Sequence, residues 1–274
     1  MLLCSSWEIY GQAVGGLKEL KIGAFGFAEN ADGVKAAGYD YIELDLPELT
    51  AMEGEQFAAF ADHLGEIRLP ALSGARILPV SEPLIFEPGF SAKSWEAFLE
   101  REIERAAALG MEKIIFGNGK ARLRPDGAGE ECFTDFLRMI CDLCREKGIR
   151  LVLEPLGPRY TNYINTLSQA AAVWERVGRA NFGIMADLRH MVGSADSYED
   201  ILRFQEIIDH FHLDYPLSYP ERRVPKKTDG FDYRPFIEAV RRVKRCGTVT
   251  VESDIPQNWA EAFRREREVL AMRI

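Results

Sequence analysis

Short apolar runs of strand length alternate with stretches of helical period along nearly the whole chain. The runs from Leu20 to Phe25, Tyr39 to Asp45, Ile67 to Leu72 and Lys113 to Gly117 read as strands. So do Arg150 to Leu156, Phe182 to Asp187, Ile208 to Asp214 and Val249 to Glu252. Between and after them, Ala28–Ala37, Gly54–Leu64, Ser94–Leu109, Phe133–Lys147, Ser168–Val177, Tyr198–Glu206, Tyr233–Lys244 and residues 259–271 read as helices. The clearest carries Trp95, Phe98, Leu99, Ile103 and Ala106 on one stripe and stops at Gly110. Eight strand–helix units imply a parallel sheet covered by helices. In 274 residues they fit a closed (β/α)8 TIM barrel, an α/β fold in a single domain, better than an open sheet. Gly117-Asn-Gly119 follows a strand but lacks the third glycine and the helix start of a dinucleotide site. The barrel is expected over residues 19–274, with residues 1–18 as an N-terminal extension or extra segment.

The second half of the chain repeats one design. Leu151-Val-Leu-Glu154-Pro, Phe182 to Asp187, His210-Phe-His212 and Val249-Thr-Val-Glu252 each carry a carboxylate or imidazole at the strand's carboxyl end, where a barrel builds its active site. A carboxylate beside a buried strand is costly unless something positive neutralises it. Three carboxylates and one imidazole suit a hard or borderline divalent cation, Mn²⁺, Mg²⁺ or Co²⁺, with Zn²⁺ as a further choice. Each residue also has a simpler reading. A strand-end Glu can be ion-paired in a loop, and Asp187 can cap a turn through Leu188-Arg-His-Met. His210 and His212 share a face of their strand, which would place His210 one layer deeper as a hydrogen-bonded interior residue.

Composition narrows the class. A net charge of -9 lacks the basic footprint of a nucleic-acid binder. The five cysteines, with Cys141 and Cys144 spaced as C-x-x-C inside an amphipathic helix, read as reduced packing residues rather than a zinc or disulfide framework. Neither a signal peptide nor a run of membrane-spanning length is evident, so a cytoplasmic location without membrane contact is expected. The Ser73–Ser91 loop is long enough to serve function. Lys120, Arg122 and Arg124 on one mouth loop, with Lys226 and Lys227 on another, could seat a phosphate or carboxylate or could simply be solvated.

The segments Leu153-Glu-Pro-Leu, Thr161-Asn-Tyr-Ile-Asn-Thr166, Asp187-Leu-Arg-His190, His210-Phe-His-Leu-Asp214 and Val251-Glu252 resemble the xylose-isomerase-like barrels of sugar isomerases and epimerases. The nearest branch is that of the ketose 3-epimerases and hydroxypyruvate isomerases. The resemblance implies a metal, Mn²⁺ first, held by Glu154, Asp187, His212 and Glu252. Glu154 and Glu252 would also exchange a proton with the carbon beside a carbonyl, through an enediolate that the metal stabilises. It further implies His190 as a substrate contact, with Arg222 or Arg223 as counterpart of the family's loop arginine. Where those epimerases carry a second substrate-binding Glu, six residues after the first, this chain has Tyr160. The expected function is therefore a metal-dependent isomerase or epimerase of a small sugar, keto-sugar or sugar derivative; related barrels often pair, so a homo-oligomer is a further expectation. The alternatives are a polyol dehydratase of the same superfamily and a noncatalytic sugar-binding barrel. A multi-zinc DNA-repair barrel would need more than the four histidines present.

Overall fold

The computed structural model describes residues 20–80, 83–226 and 228–254. Eight strands close into a parallel barrel in sequence order, with the first paired to the last. They are β1 (Lys21–Gly26), β2 (Tyr41–Asp45), β3 (Ala71–Ala75), β4 (Lys113–Phe116), β5 (Arg150–Leu153), β6 (Phe182–Asp187), β7 (Ile208–Leu213) and β8 (Thr248–Val251). The surrounding helices are α1 (Ala31–Ala36), α2 (Leu46–Ala51), α3 (Gly54–Ile67), α4 (Glu96–Ala108) and α5 (Glu131–Glu146). They continue as α6 (Leu167–Val177), α7 (Leu188–Ser194), α8 (Tyr198–Arg203) and α9 (Arg234–Arg242). The expected N-terminal extension and closing helix lie outside the described residues, as do Cys4 and Lys227.

One strand expectation is displaced. Ile67 ends α3, Arg68 takes a left-handed φ of 53°, and β3 begins only at Ala71. The periodicity Phe57, Phe60, Leu64 carries on to Ile67, and Ala-Leu-Ser-Gly-Ala has no β-branched residue to announce a strand. Its smallness has a packing reason: a Cβ on Gly74 would lie 2.7 Å from the Leu46 side chain of α2.

Strand alternation divides two cores. Outward residues such as Ile114, Phe116, Leu151, Leu153, Ile184, Phe211, Val249 and Val251 pack under the helices. Among these helices, α5 buries Phe133, Phe136, Leu137 and Ile140 completely; truncating one such phenylalanine would cost about 3–5 kcal/mol. Cys141 and Cys144 lie on the same buried face as free thiols, and burial raises both, Cys141 to about 12. That fits packing rather than redox chemistry.

Inside the barrel the filling is lopsided. Ile115, Val152 and Met185 form a small apolar cluster on the β4–β6 side. Tyr41, Glu43, Ser73, Lys113, His210, Thr248 and Thr250, all buried, are joined by hydrogen bonds across the rest of the interior. Gly23 of β1 makes room for this half, because a Cβ there would lie 2.3 Å from the Tyr41 ring.

Candidate metal centre and cavity

Four strand ends converge on one point. Glu154 follows β5, and its backbone N–H continues the ladder to Phe116 O at 3.1 Å. Asp187 closes β6, His212 lies in β7, and Glu252 follows β8 with its N–H on Leu213 O at 3.1 Å. One ligand atom from each of Glu154, Asp187, His212 and Glu252 falls within 4.8 Å of all the others. His212 turns Nδ1 to the group, 3.1 Å from Glu252 Oε2, 3.8 Å from Glu154 Oε1 and 4.0 Å from Asp187 Oδ2. Asp187 does two things at once. Its Oδ1 accepts from Arg189 N at 2.7 Å and caps α7, while Oδ2 faces the cluster.

The residues present fit a divalent cation. The donor set is three carboxylates and an imidazole, and Glu154 Oε1 is buried without a hydrogen-bond partner among the described residues. Such an orphaned oxygen is costly unless a cation or water meets it. Burial and the neighbouring Glu252 charge push Glu154 up to about 8. Burial also acts on Glu252 and Asp187, but their neighbours outweigh it and hold both low: Arg222 and His212 for Glu252, His190, Arg222 and His212 for Asp187. His212 rises despite its burial, because Glu43 and Glu252 flank it. Burial lowers His190 to about 4, keeping a neutral ring.

The remaining expected residues gather round the same point. His190 Nε2 lies 3.5 Å from Glu154 Oε1 and 3.6 Å from Asp187 Oδ2. Arg222 and Arg223 are told apart by the structure. The Arg222 guanidinium pairs with Glu252, stands 3.3 Å from Asp187 Oδ2 and reaches His190 Nε2 at 3.1 Å. Arg223 turns away to Asp229 at 2.8 Å and packs over Tyr215. Tyr160 packs edge-on against His190, ring centroids 4.8 Å apart, with its hydroxyl buried and without a hydrogen-bond partner among the described residues. Above the cluster opens a cavity of 660 Å³ lined by Phe25, Phe27, Val80, Lys120, Arg159 and Tyr160 among others, a size suited to a small ligand. Val80 comes from the long loop after β3, which Asn118 ties down through Leu78 O and Pro79 O at 2.7 and 3.2 Å.

The basic mouth loop does not behave as one patch. Lys120 lines the cavity, whereas Arg124 is spent on Glu130 at 2.7 Å and on Ala128 O. Arg122 is 0% exposed and its guanidinium has no hydrogen-bond partner among the described residues, so it is neither solvated nor at the rim. On the other loop, Lys226 is exposed.

Two features escape the strand-end pattern. Glu43 sits wholly buried in β2, its Oε2 held by Ser73 Oγ at 2.5 Å, His210 Nε2 at 2.9 Å and Thr250 Oγ1 at 3.1 Å. Burial raises its carboxyl, but His212 and His210 outweigh that and leave it well below its ordinary value. His210 is the hydrogen-bonded interior residue that strand alternation predicts. The signal for Glu43 was parity: Tyr41, Glu43 and Asp45 alternate, and the inward face of β2 is the Tyr41–Glu43 face. The second feature is Arg189. Its Nε pairs with buried Asp214 at 2.5 Å, and Nη2 reaches Tyr215 O, Ser218 Oγ and Glu221 O at 3.0, 3.0 and 2.8 Å. One guanidinium thus pins the loop that delivers Arg222.

Known proteins resemble this chain in sequence and in fold. The chain is 26% identical over 237 residues to a ketose 3-epimerase of Arthrobacter globiformis, covering 84% of this chain and 78% of that one. It is 28% identical over 241 residues to a D-psicose 3-epimerase of Agrobacterium fabrum, covering 82% and 78%. The crystal structure of a D-psicose 3-epimerase in the presence of D-fructose superposes with a TM-score of 0.77 at 18% identity, over 92% of this chain and 98% of that one. The model of the xylose isomerase-like TIM barrel family matches residues 31–272, and the chain belongs to that family.

Proposed function

We propose that this protein is a divalent-metal-dependent isomerase or epimerase acting on a small sugar, keto-sugar or sugar derivative. The observation that carries the proposal is the meeting of Glu154, Asp187, His212 and Glu252 within 4.8 Å at the floor of a cavity that also holds His190 and Arg222. Glu154, Asp187, His212 and Glu252 would hold the ion. When bound, it supplies electrophilic stabilisation of the enediolate that forms when a proton leaves carbon beside a carbonyl.

The protein's own residues supply the proton traffic and the placement. Glu154 and Glu252 enter the site from the ends of β5 and β8, and as paired carboxyls they would take a proton from the substrate carbon and return one to it. His190, kept neutral with its basicity lowered to about 4, offers a hydrogen bond to a substrate oxygen without adding charge. Arg222 offers a fixed donor fork beside it. Tyr160 adds an aromatic wall and a hydroxyl at the position of the epimerases' second Glu, which favours a different pattern of hydroxyl recognition at the far end of the sugar.

The test is a panel of ketoses and their derivatives incubated in deuterated water with Mn²⁺. Metal-dependent entry of deuterium at the carbon next to a carbonyl is expected for at least one compound and should be lost in Glu252→Gln. Bound metal with no exchange on any member of the panel would refute the reading and leave dehydration or binding alone.

A further inference from the structure

We propose that Glu43 is a positioning residue for the metal centre: its carboxylate receives the Nε2–H of His212 and so reserves Nδ1 as the donor toward the ion. This rests on the metal reading above. A neutral imidazole offers one nitrogen as a donor and the other as an acceptor, and the hydrogen bond made by one decides which is left for a metal. Nδ1 is the nitrogen that faces Glu252, Glu154 and Asp187, at 3.1, 3.8 and 4.0 Å. On the opposite side of the ring, Nε2 lies 2.9 Å from Glu43 Oε1. That approach is bent away from a regular hydrogen bond, and among the described residues neither atom has a hydrogen-bond partner elsewhere.

Glu43 can act as a fixed stop because its other oxygen is immobilised. Ser73 Oγ, His210 Nε2 and Thr250 Oγ1 all bond Oε2. His210 is braced in turn by Thr248 at 3.0 Å, and Thr250 by the Tyr41 hydroxyl at 2.8 Å. With one oxygen held by three donors, the direction of the other is set. The lopsided filling of the barrel then has a reason. Apolar packing such as that of Ile115, Val152 and Met185 would fill the interior without the desolvation cost of a buried carboxylate and two imidazoles. The polar half lies beneath His212, the one ligand whose donor atom has to be chosen.

Glu43, His210 and His212 could themselves enclose an ion, since their ligand atoms also lie within 4.8 Å of one another. The three hydrogen bonds already on Oε2 favour the positioning role. The experiment uses the full chain as wild type, Glu43→Gln and Glu43→Asp, with folding checked by circular dichroism. Mn²⁺ affinity and stoichiometry are measured by competition with a fluorescent chelator. The Zn²⁺ form labelled with ¹⁵N-histidine is examined by NMR. With four histidines in the chain, His212 is assigned from the spectrum of a His212→Asn variant.

The wild type is expected to bind one ion. Glu43→Gln should bind it about 10–100-fold more weakly, with Glu43→Asp in between. The His212 Nε2–H signal should be downfield and slow to exchange in the wild type, and lost in Glu43→Gln. Unchanged affinity in Glu43→Gln overturns the proposal, as does a wild type binding two ions where the variant binds one, which would make Glu43 a ligand. A wild type that binds no metal overturns both this assignment and the metal reading. Should Glu43→Gln not fold, the wild-type spectrum still decides: metal on Nε2, or no carboxylate-bonded Nε2–H, refutes it.

Discussion

Replacing Arg189 with methionine removes the charge that holds the Arg222 loop while keeping most of the side-chain volume. Arg189 and Asp214 are 3% and 1% exposed, so their pairing is not screened by water. Breaking a buried pair on one side strands the other charge and costs about 3–5 kcal/mol. Three further bonds, to Tyr215 O, Ser218 Oγ and Glu221 O, would go as well. Part of the loss should be recoverable. Burial, with the Asp187 charge, already pushes Asp214 up to about 7, so Asp214→Asn in the Arg189→Met background removes the stranded group at little cost. The double variant should therefore be more stable than Arg189→Met by at least about 1 kcal/mol. Urea denaturation at pH 7.5 measures all four chains of this cycle. The same release frees the segment carrying Arg222, and a displacement on the order of 1 Å can lower turnover up to about 100-fold. If Arg189→Met unfolds within about 1 kcal/mol of wild type, the clamp described here is not one.

Glu102 of α4 is 0% exposed, has only Thr50 Oγ1 at 3.4 Å as a hydrogen-bond partner among the described residues, and is raised to about 9 by burial. The unfolded chain releases this proton near the ordinary value of about 4.3 and the folded one keeps it. Stability therefore falls as pH rises across that window, by about 1.4 kcal/mol per unit. Between pH 6 and 8 the wild type should lose about 3 kcal/mol relative to Glu102→Gln, read from urea midpoints; parallel profiles would refute the assignment. At the site, a Cβ on Gly117 would lie 2.1 Å from Glu154 Oε2. Gly117→Ala should thus weaken metal retention about tenfold or more while removing no polar group. Elemental analysis after dialysis against a weak chelator checks this, and wild-type metal content would contradict it.

Sequence and structure divide the credit by the range of the interactions involved. Periodicity is local, so the alternation of strands and helices was readable along the described residues, including the Leu99, Ile103 and Ala106 stripe of α4. The parallel closed barrel followed from the count of units and the length. The reading slipped where local signals mislead: β3, small because Leu46 presses on Gly74, gives no β-branched pattern, and α3 runs on to Ile67, the first residue assigned to that strand. Short α2 and α7 were too brief to show a period, although Asp187 did announce the cap of α7.

For the site, a strand's carboxyl end is a position that the chain itself labels, so Glu154, Asp187, His212 and Glu252 could be named from order alone. Which arginine reaches them could not. Arg222 and Arg223 are neighbours in sequence, and only the pinning of their loop by Arg189, from a different strand end, sends one to Glu252 and the other to Asp229. Arg122 likewise reads as one more cation on a basic loop until the fold buries it. Glu43 is the sharpest case. It lies 167 and 169 residues from His210 and His212 in the numbering, and only closure of the barrel between β8 and β1 brings β2 round to face β7. Contacts across a closed interior depend on three strands' inward parities at once, and that is decided by tertiary structure.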